Sequence, residues 1–122
     1  MPEKERAEPD ELTELLKLEN QLCFPLYAAS NLLTRLYRPP LSELGLTYPQ
    51  YLVMLTLWQS EPQTVGDIGG RLYLDTSTLT PLLKRMEANG LISRSRDKAD
   101  ERRVLVHLTV AGKALRAQAP RV

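Results

Sequence analysis

One cysteine, one histidine, one phenylalanine and one tryptophan occur among the 122 residues, and each scarcity closes a route. With Cys23 alone, neither a disulfide within the chain nor a cysteine-built metal cluster can form. The only histidine, His107, falls in a predicted strand, and neither a Gly-rich phosphate loop nor a cluster of metal ligands is present. The equipment of an enzyme is therefore missing, no catalytic or metal-binding residue is expected, and no cofactor is implied. Long apolar runs are absent too: nothing approaches the roughly 18 residues of a membrane-crossing helix. The opening Met1-Pro2-Glu3-Lys4-Glu5-Arg6 is charged, with no apolar signal segment behind it. A soluble, cytoplasmic protein with no membrane partner is expected.

Charge of one sign is also scarce, the net value being +1, but its distribution is uneven. Residues 1–20 carry three Lys/Arg against seven Asp/Glu, whereas residues 71–103 carry eight against five. The basic potential is thus gathered in one segment, the pattern of a chain that presents one face to an anionic partner.

Hydrophobic spacing supplies the architecture. Leu12, Leu15, Leu16 and Leu22, continued by Leu26, Leu32, Leu33 and Leu36, predict one long helix or two, ending at Pro39-Pro40. Pro25 decides between them, because inside a helix it removes a donor and clashes with the Gln21 carbonyl, whereas in a first turn it is well placed. Thr47 can cap a helix containing Pro49 and reaching about Ser60, with Leu52, Leu55 and Trp58 on its core face, joined by Val53 and Leu57. A short helix over Thr64–Leu72 is weakened by Gly69-Gly70, at about 1 kcal/mol each relative to alanine. The clearest signal is Leu79, Leu82, Leu83 and Met86 at i, i+3, i+4 and i+7, stopped by Asn89-Gly90 and opened by the polar rim Asp75, Thr76, Ser77, Thr78 and Thr80. Pro81 pushes the start of that helix toward Ser77 or Thr78, unless the helix tolerates a lost bond. Leu91–Arg96 and Val104–Leu108 read as two strands joined by a charged connection, and Thr109 can cap a last helix halted by Pro120.

Helix, short helix, polar-rimmed helix and two-stranded hairpin is the order of a winged helix-turn-helix: a mainly α fold with a small β hairpin. Residues 1–9 are expected to be an acidic flexible N-terminus, and 10–122 one domain: helices over 10–60, the helix-turn-helix over 64–90, the wing over 91–108 and a final helix over 109–119. In such a module the helix over Thr76–Asn89 enters the major groove of double-stranded DNA, with Asp75, Thr76, Ser77, Thr78, Thr80, Lys84 and Arg85 toward bases or phosphates. The same rim residues serve equally well as helix caps. Arg94, Arg96, Lys98, Arg102 and Arg103 on the wing suit phosphates or a narrow minor groove, with Asp100 or Glu101 orienting an arginine.

Three stretches, Leu46-Thr-Tyr-Pro-Gln-Tyr-Leu-Val-Met-Leu55, Leu74-Asp-Thr-Ser-Thr-Leu-Thr-Pro-Leu-Leu-Lys-Arg-Met-Glu87 and Asp100-Glu-Arg-Arg-Val-Leu-Val106, strongly resemble the MarR family of repressors. Within it, Glu19-Asn-Gln-Leu-Cys-Phe-Pro-Leu-Tyr27 is similar to the organic-hydroperoxide-sensing, OhrR-type branch. The resemblance spans about residues 17–116. It implies a homodimer that represses a peroxidase gene from an inverted-repeat operator and leaves the DNA when an organic hydroperoxide oxidises its sensing cysteine. Carried over by position, Cys23 is that thiol, Tyr37 and Tyr48 are its hydrogen-bonding partners and Arg102 is the minor-groove residue. A thiolate attacking the peroxide gives a sulfenic acid and an alcohol, and Leu22, Phe24 and Leu26 supply an apolar setting for an organic oxidant. Tyr27 and Tyr51 read as structural.

Members of the family normally continue into a further helix that pairs with the other subunit, whereas this sequence stops at Val122. A truncated chain or an incomplete dimer interface is expected from that. A resolving second cysteine is absent, so oxidised Cys23 is left to pair with a low-molecular-weight thiol or another chain, or to over-oxidise. Three other readings stay open: a repressor gated by a phenolic or aromatic ligand, a short chain acting by heterodimerisation, and, with least support, a thiol peroxidase.

Overall fold

The computed structural model describes residues 8–121, so the first seven residues of the expected flexible N-terminus lie outside the described residues. The chain divides at Leu36/Tyr37 into two units.

In the first unit, α1 (Pro9–Leu15) opens on a proline, whose fixed φ suits a first helical turn. A short 3-10 turn (Leu18–Asn20) follows. Gln21 closes this corner by donating from Nε2 to the carbonyls of Leu15 (2.7 Å) and Lys17 (2.9 Å). Two helices therefore stand where one or two were expected, and the second, α2 (Cys23–Glu43), starts two residues ahead of Pro25. The proline sits in the first turn, where its missing N–H has no intrahelical acceptor to lose. The leucines of this unit do not form a core within the chain: Leu12, Leu15, Leu16, Leu22, Leu26, Leu32, Leu33 and Leu36 are all exposed, Leu22 at 86%.

The second unit begins within α2. Against expectation the helix runs through Pro39 and Pro40 to Glu43. Each proline forfeits one hydrogen bond, and Arg35 and Leu36, four residues back, are exposed. Beyond the prolines Leu41 is buried and anchors the last turn. That turn closes with Leu46 N donating to Leu41 O (3.0 Å) and Gly45 N to Ser42 O (3.1 Å), Gly45 taking the left-handed conformation at φ 72°.

Thr47 caps α3 (Tyr48–Gln59) in a capping box with Gln50. The buried face of α3 is Val53, Met54 and Leu57, while Leu55 is exposed and Leu52 and Trp58 are half-buried. A helix apolar almost all round carries no periodicity to choose its inner face. Thr64 caps α4 (Val65–Leu72) in a second capping box with Asp67. Asp75 caps α5 (Thr76–Ala88), whose Leu79, Leu83 and Met86 are wholly buried. Pro81 lies inside α5 rather than at its start, so the helix gives up one bond to keep those three residues in the core.

Strands β2 (Ile92–Arg96) and β3 (Val104–Leu108) pair antiparallel, with Ile92 opposite Leu108 and Arg96 opposite Val104. A third strand, β1 (Gln63–Thr64), adds to the other edge of β3 in the order β1-β3-β2. Two residues are too few to show alternation, so only pairing reveals it. Thr109 caps α6 (Val110–Ala114), followed by a 3-10 turn (Leu115–Gln118).

Glu61 ties α3, sheet and α6 together: its Oε2 accepts from the Leu108 amide at 2.5 Å and its Oε1 faces Lys113 Nζ at 3.3 Å. Burial alone would raise this carboxyl, but the Leu108 amide and the Lys113 ammonium overcome it and the net shift is downward. Stability from the charged form is then complete above the unfolded glutamate value, about 4.3, and is lost as pH falls through the lower folded value. Thermal unfolding of Glu61→Gln below pH 5 should be less pH-dependent than that of the parent. Identical slopes would remove Glu61 from the acid transition.

Candidate nucleic-acid interface and thiol

The polar surface expected to meet DNA is built on α5. The Asp75 carboxylate accepts from Thr78 N and Ser77 Oγ, both at 2.8 Å. These bonds from Thr78 and Ser77 hold Asp75 below the usual carboxylate range. The structure thus gives Asp75 a capping role at the helix N-terminus, where a negative charge also meets the positive end of the helix dipole. Thr76, Ser77 and Thr78 are exposed and Thr80 is half-buried. Lys84 and Arg85, a little over two turns along, are exposed as well.

The wing arginines are not equivalent. Arg94 is braced against α5: its backbone N donates to Glu87 Oε2 at 3.0 Å, and its Nη2 lies 3.3 Å from Oε1. Arg94 in turn holds Glu87 below its ordinary value. Arg96 Nη1 donates to the Glu101 carbonyl at 2.8 Å. Asp100 accepts from both the backbone N (3.1 Å) and Nε (3.2 Å) of Arg102. This lowers Asp100 and aims a guanidinium whose side chain is still 91% exposed. Arg103 is exposed; its charge helps to lower Asp67, after the larger contribution of the bond from Thr64.

Between the start of α4, the first turns of α5 and the wing lies a cavity of about 410 Å³. Thr76 and Thr80 line it from α5, Arg94, Arg102, Arg103 and Val104 from the wing, and Thr64, Val65 and Gly66 from α4. Three arginines and three threonines around one opening, with Arg102 and Arg103 exposed, make a basic, polar site suited to an anion such as a phosphodiester. Thr64, Gly66 and Glu87 were not singled out by sequence reasoning. The Thr64…Asp67 spacing is a capping-box signal that would have placed the first two, but Glu87 is visible only through its pairing with Arg94.

In the first unit, Cys23 is the first residue of α2 and is exposed. Its neighbours Leu22, Phe24, Leu26 and Tyr27 are exposed to between 37% and 86%, so the thiol is open to a small oxidant among apolar side chains. In the second unit, the Tyr37 and Tyr48 rings are brought together, their centroids 5.4 Å apart. Tyr51 continues the stack at 5.9 Å from Tyr37, and Trp58 follows at 6.3 Å from Tyr51. Burial first, then the facing Tyr37 and Tyr48, raise the Tyr51 phenol. Among the described residues no helix is long and apolar enough to cross a membrane.

The MarR family model matches residues 46–104. The organic hydroperoxide resistance transcriptional regulator of Bacillus subtilis is 56% identical over 104 residues, which are 85% of this chain and 71% of that regulator. The HTH-type transcriptional regulator TtmR of Methylorubrum extorquens is 52% identical over 83% of this chain, which spans 52% of TtmR. Among solved structures, overoxidised AbfR bound to DNA matches with a TM-score of 0.79 and 43% identity, covering 87% of this chain and 78% of AbfR.

Proposed function

The chain belongs to the MarR family, and on that footing we propose that it is a DNA-binding transcriptional repressor that senses organic hydroperoxides through Cys23 and releases its operator on oxidation. The observation that carries this reading is the joint presence of an exposed thiol at the start of α2 and a basic cavity between α5 and the wing. The first is a detector and the second a phosphate-binding surface.

In the redox step the Cys23 thiolate attacks the terminal oxygen of the hydroperoxide. The O–O bond breaks, sulfur is oxidised to a sulfenic acid, and the departing alkoxide takes a proton to become an alcohol. A low-molecular-weight thiol then condenses with the sulfenic acid, expelling water and leaving a mixed disulfide. The exposed leucines of the first unit are the apolar surface through which we expect a homodimer to form and read an inverted repeat in the cytoplasm. On DNA, Thr76, Ser77, Thr78 and Thr80 are assigned to base edges and nearby phosphates, Lys84, Arg85, Arg96 and Arg103 to phosphates, and Arg102 to the minor groove. Arg94 and Asp75 position this surface.

The test is an anisotropy titration of the reduced chain against an inverted-repeat duplex, over a salt series, before and after one equivalent of cumene hydroperoxide. Specific binding should be lost on oxidation and restored by a thiol reductant; binding indifferent to the oxidant would turn the reading to ligand gating. In the same series, Arg102→Ala should bind more weakly through loss of its minor-groove contact, and unchanged binding would remove that assignment.

A further inference from the structure

Tyr73, in the turn between α4 and α5, is 96% exposed and lies in the left-handed region at φ 57° and ψ 37°. That conformation suits glycine or asparagine, and a bulky side chain there is a true outlier. The backbone is held firmly in it. The amides of Tyr73 and Leu74 both donate to the Gly69 carbonyl, and Asp75 caps α5 immediately afterward. Gly69 makes the turn as tight as it is, since a Cβ on it would stand 2.7 Å from the Leu74 carbonyl oxygen. Neither packing nor local preference therefore accounts for an aromatic side chain at this position. An outlier without a folding reason directs attention to a partner.

Resting on the DNA-binding reading above, we propose that Tyr73 is a DNA-backbone contact, its phenol donating a hydrogen bond to a phosphate beside the groove that α5 enters. Its place supports this. Tyr73 stands two residues before the cap of α5 and three before the first of the exposed Thr76, Ser77 and Thr78. The Tyr73 side chain is 96% exposed, so its phenol is open to an outside acceptor. A phenol brings no charge, and this separates it from every arginine and lysine of the surface. Loss of its hydroxyl lowers affinity without releasing fewer counterions, and a phosphate contact carries no sequence information.

The experiment is anisotropy on the reduced full chain, with an operator duplex and an unrelated duplex of equal length over a salt series. Tyr73→Phe is expected to bind both duplexes about 3- to 10-fold more weakly, with the parent's salt slope and an unchanged ratio between the two. Tyr73→Gly, which relieves the backbone, should melt at a higher temperature than the parent and yet bind at least as weakly as Tyr73→Phe. Binding of Tyr73→Phe at parental strength, or a loss confined to the operator, overturns the assignment. Failure of the parent itself to bind either duplex overturns instead the DNA-binding reading, and this proposal with it.

Discussion

With Cys23 replaced by serine, the chain is expected to hold its operator as tightly as the parent and to stay on it through any dose of organic hydroperoxide. Serine keeps the shape of the side chain and loses the chemistry, because a hydroxyl does not ionise near neutral pH and cannot pass through a sulfenic acid. The fold should not notice. Cys23 is exposed at the first position of α2, and surface substitutions of this kind usually change stability by less than about 0.5 kcal/mol. The effect is therefore all-or-none in the response and near zero in the apo affinity. Met54 and Met86, the other oxidisable sulfurs among the described residues, are wholly buried and poorly placed to substitute for the thiol. Mass spectrometry should show one oxygen, or one thiol adduct, per parent chain and none on the variant. Release of the serine variant by hydroperoxide would falsify the assignment of Cys23 and move the switch to another group or to a bound ligand.

The order of elements was legible from local signals that report on themselves. Thr47 and Thr109 cap helices as their positions suggest, and Gly90 ends α5 at φ 76°. Leu79, Leu83 and Met86 keep on the wholly buried face of α5 the spacing read from the sequence. What escaped depends on contacts distant in sequence. Pro39-Pro40 looks like a stop until Leu41 is seen in the core. Leu55 and Leu57 look alike until the packing of α3 exposes one and buries the other. The leucines of the first unit have the spacing of a core, but spacing does not say whether that core lies within one chain or between two.

The site was legible to the same degree. Composition placed the arginines on the wing, but it could not sort them. Glu87 takes Arg94 as a brace between α5 and β2, while Asp100 aims Arg102 and leaves it in solvent. Similar residues thus have different uses, set by a carboxylate seven positions away in one case and two in the other. Tyr73 gave no sequence signal at all, because its peculiarity is a dihedral angle.

The second large effect is expected at Gly112, and the two glycines Gly112 and Gly70 should respond to alanine with opposite signs. Gly112 is buried, and a Cβ on it would run into the Leu91 carbonyl oxygen, far inside van der Waals contact, with Leu108 Cδ2 also crowded at 3.3 Å. That carbonyl cannot retreat freely, since it accepts the Thr109 amide at 3.1 Å, while the Gly112 carbonyl itself accepts from Trp58 Nε1 at 3.0 Å. The Cβ would press on Leu91 backbone that is itself held in place, so Gly112→Ala should cost about 3 kcal/mol and lower Tm by roughly 10 °C or more. It should also loosen the join between α6 and the wing sheet, and so weaken DNA binding through the wing. Gly70 lies in α4 with nothing within 4 Å of its Cβ position, and alanine there should stabilise by about 0.5–1 kcal/mol by helix propensity alone. Thermal melts of both variants beside the parent decide the matter. A Gly112→Ala protein that melts with the parent would mean that the α6 junction yields, and that the wing is not fixed through it.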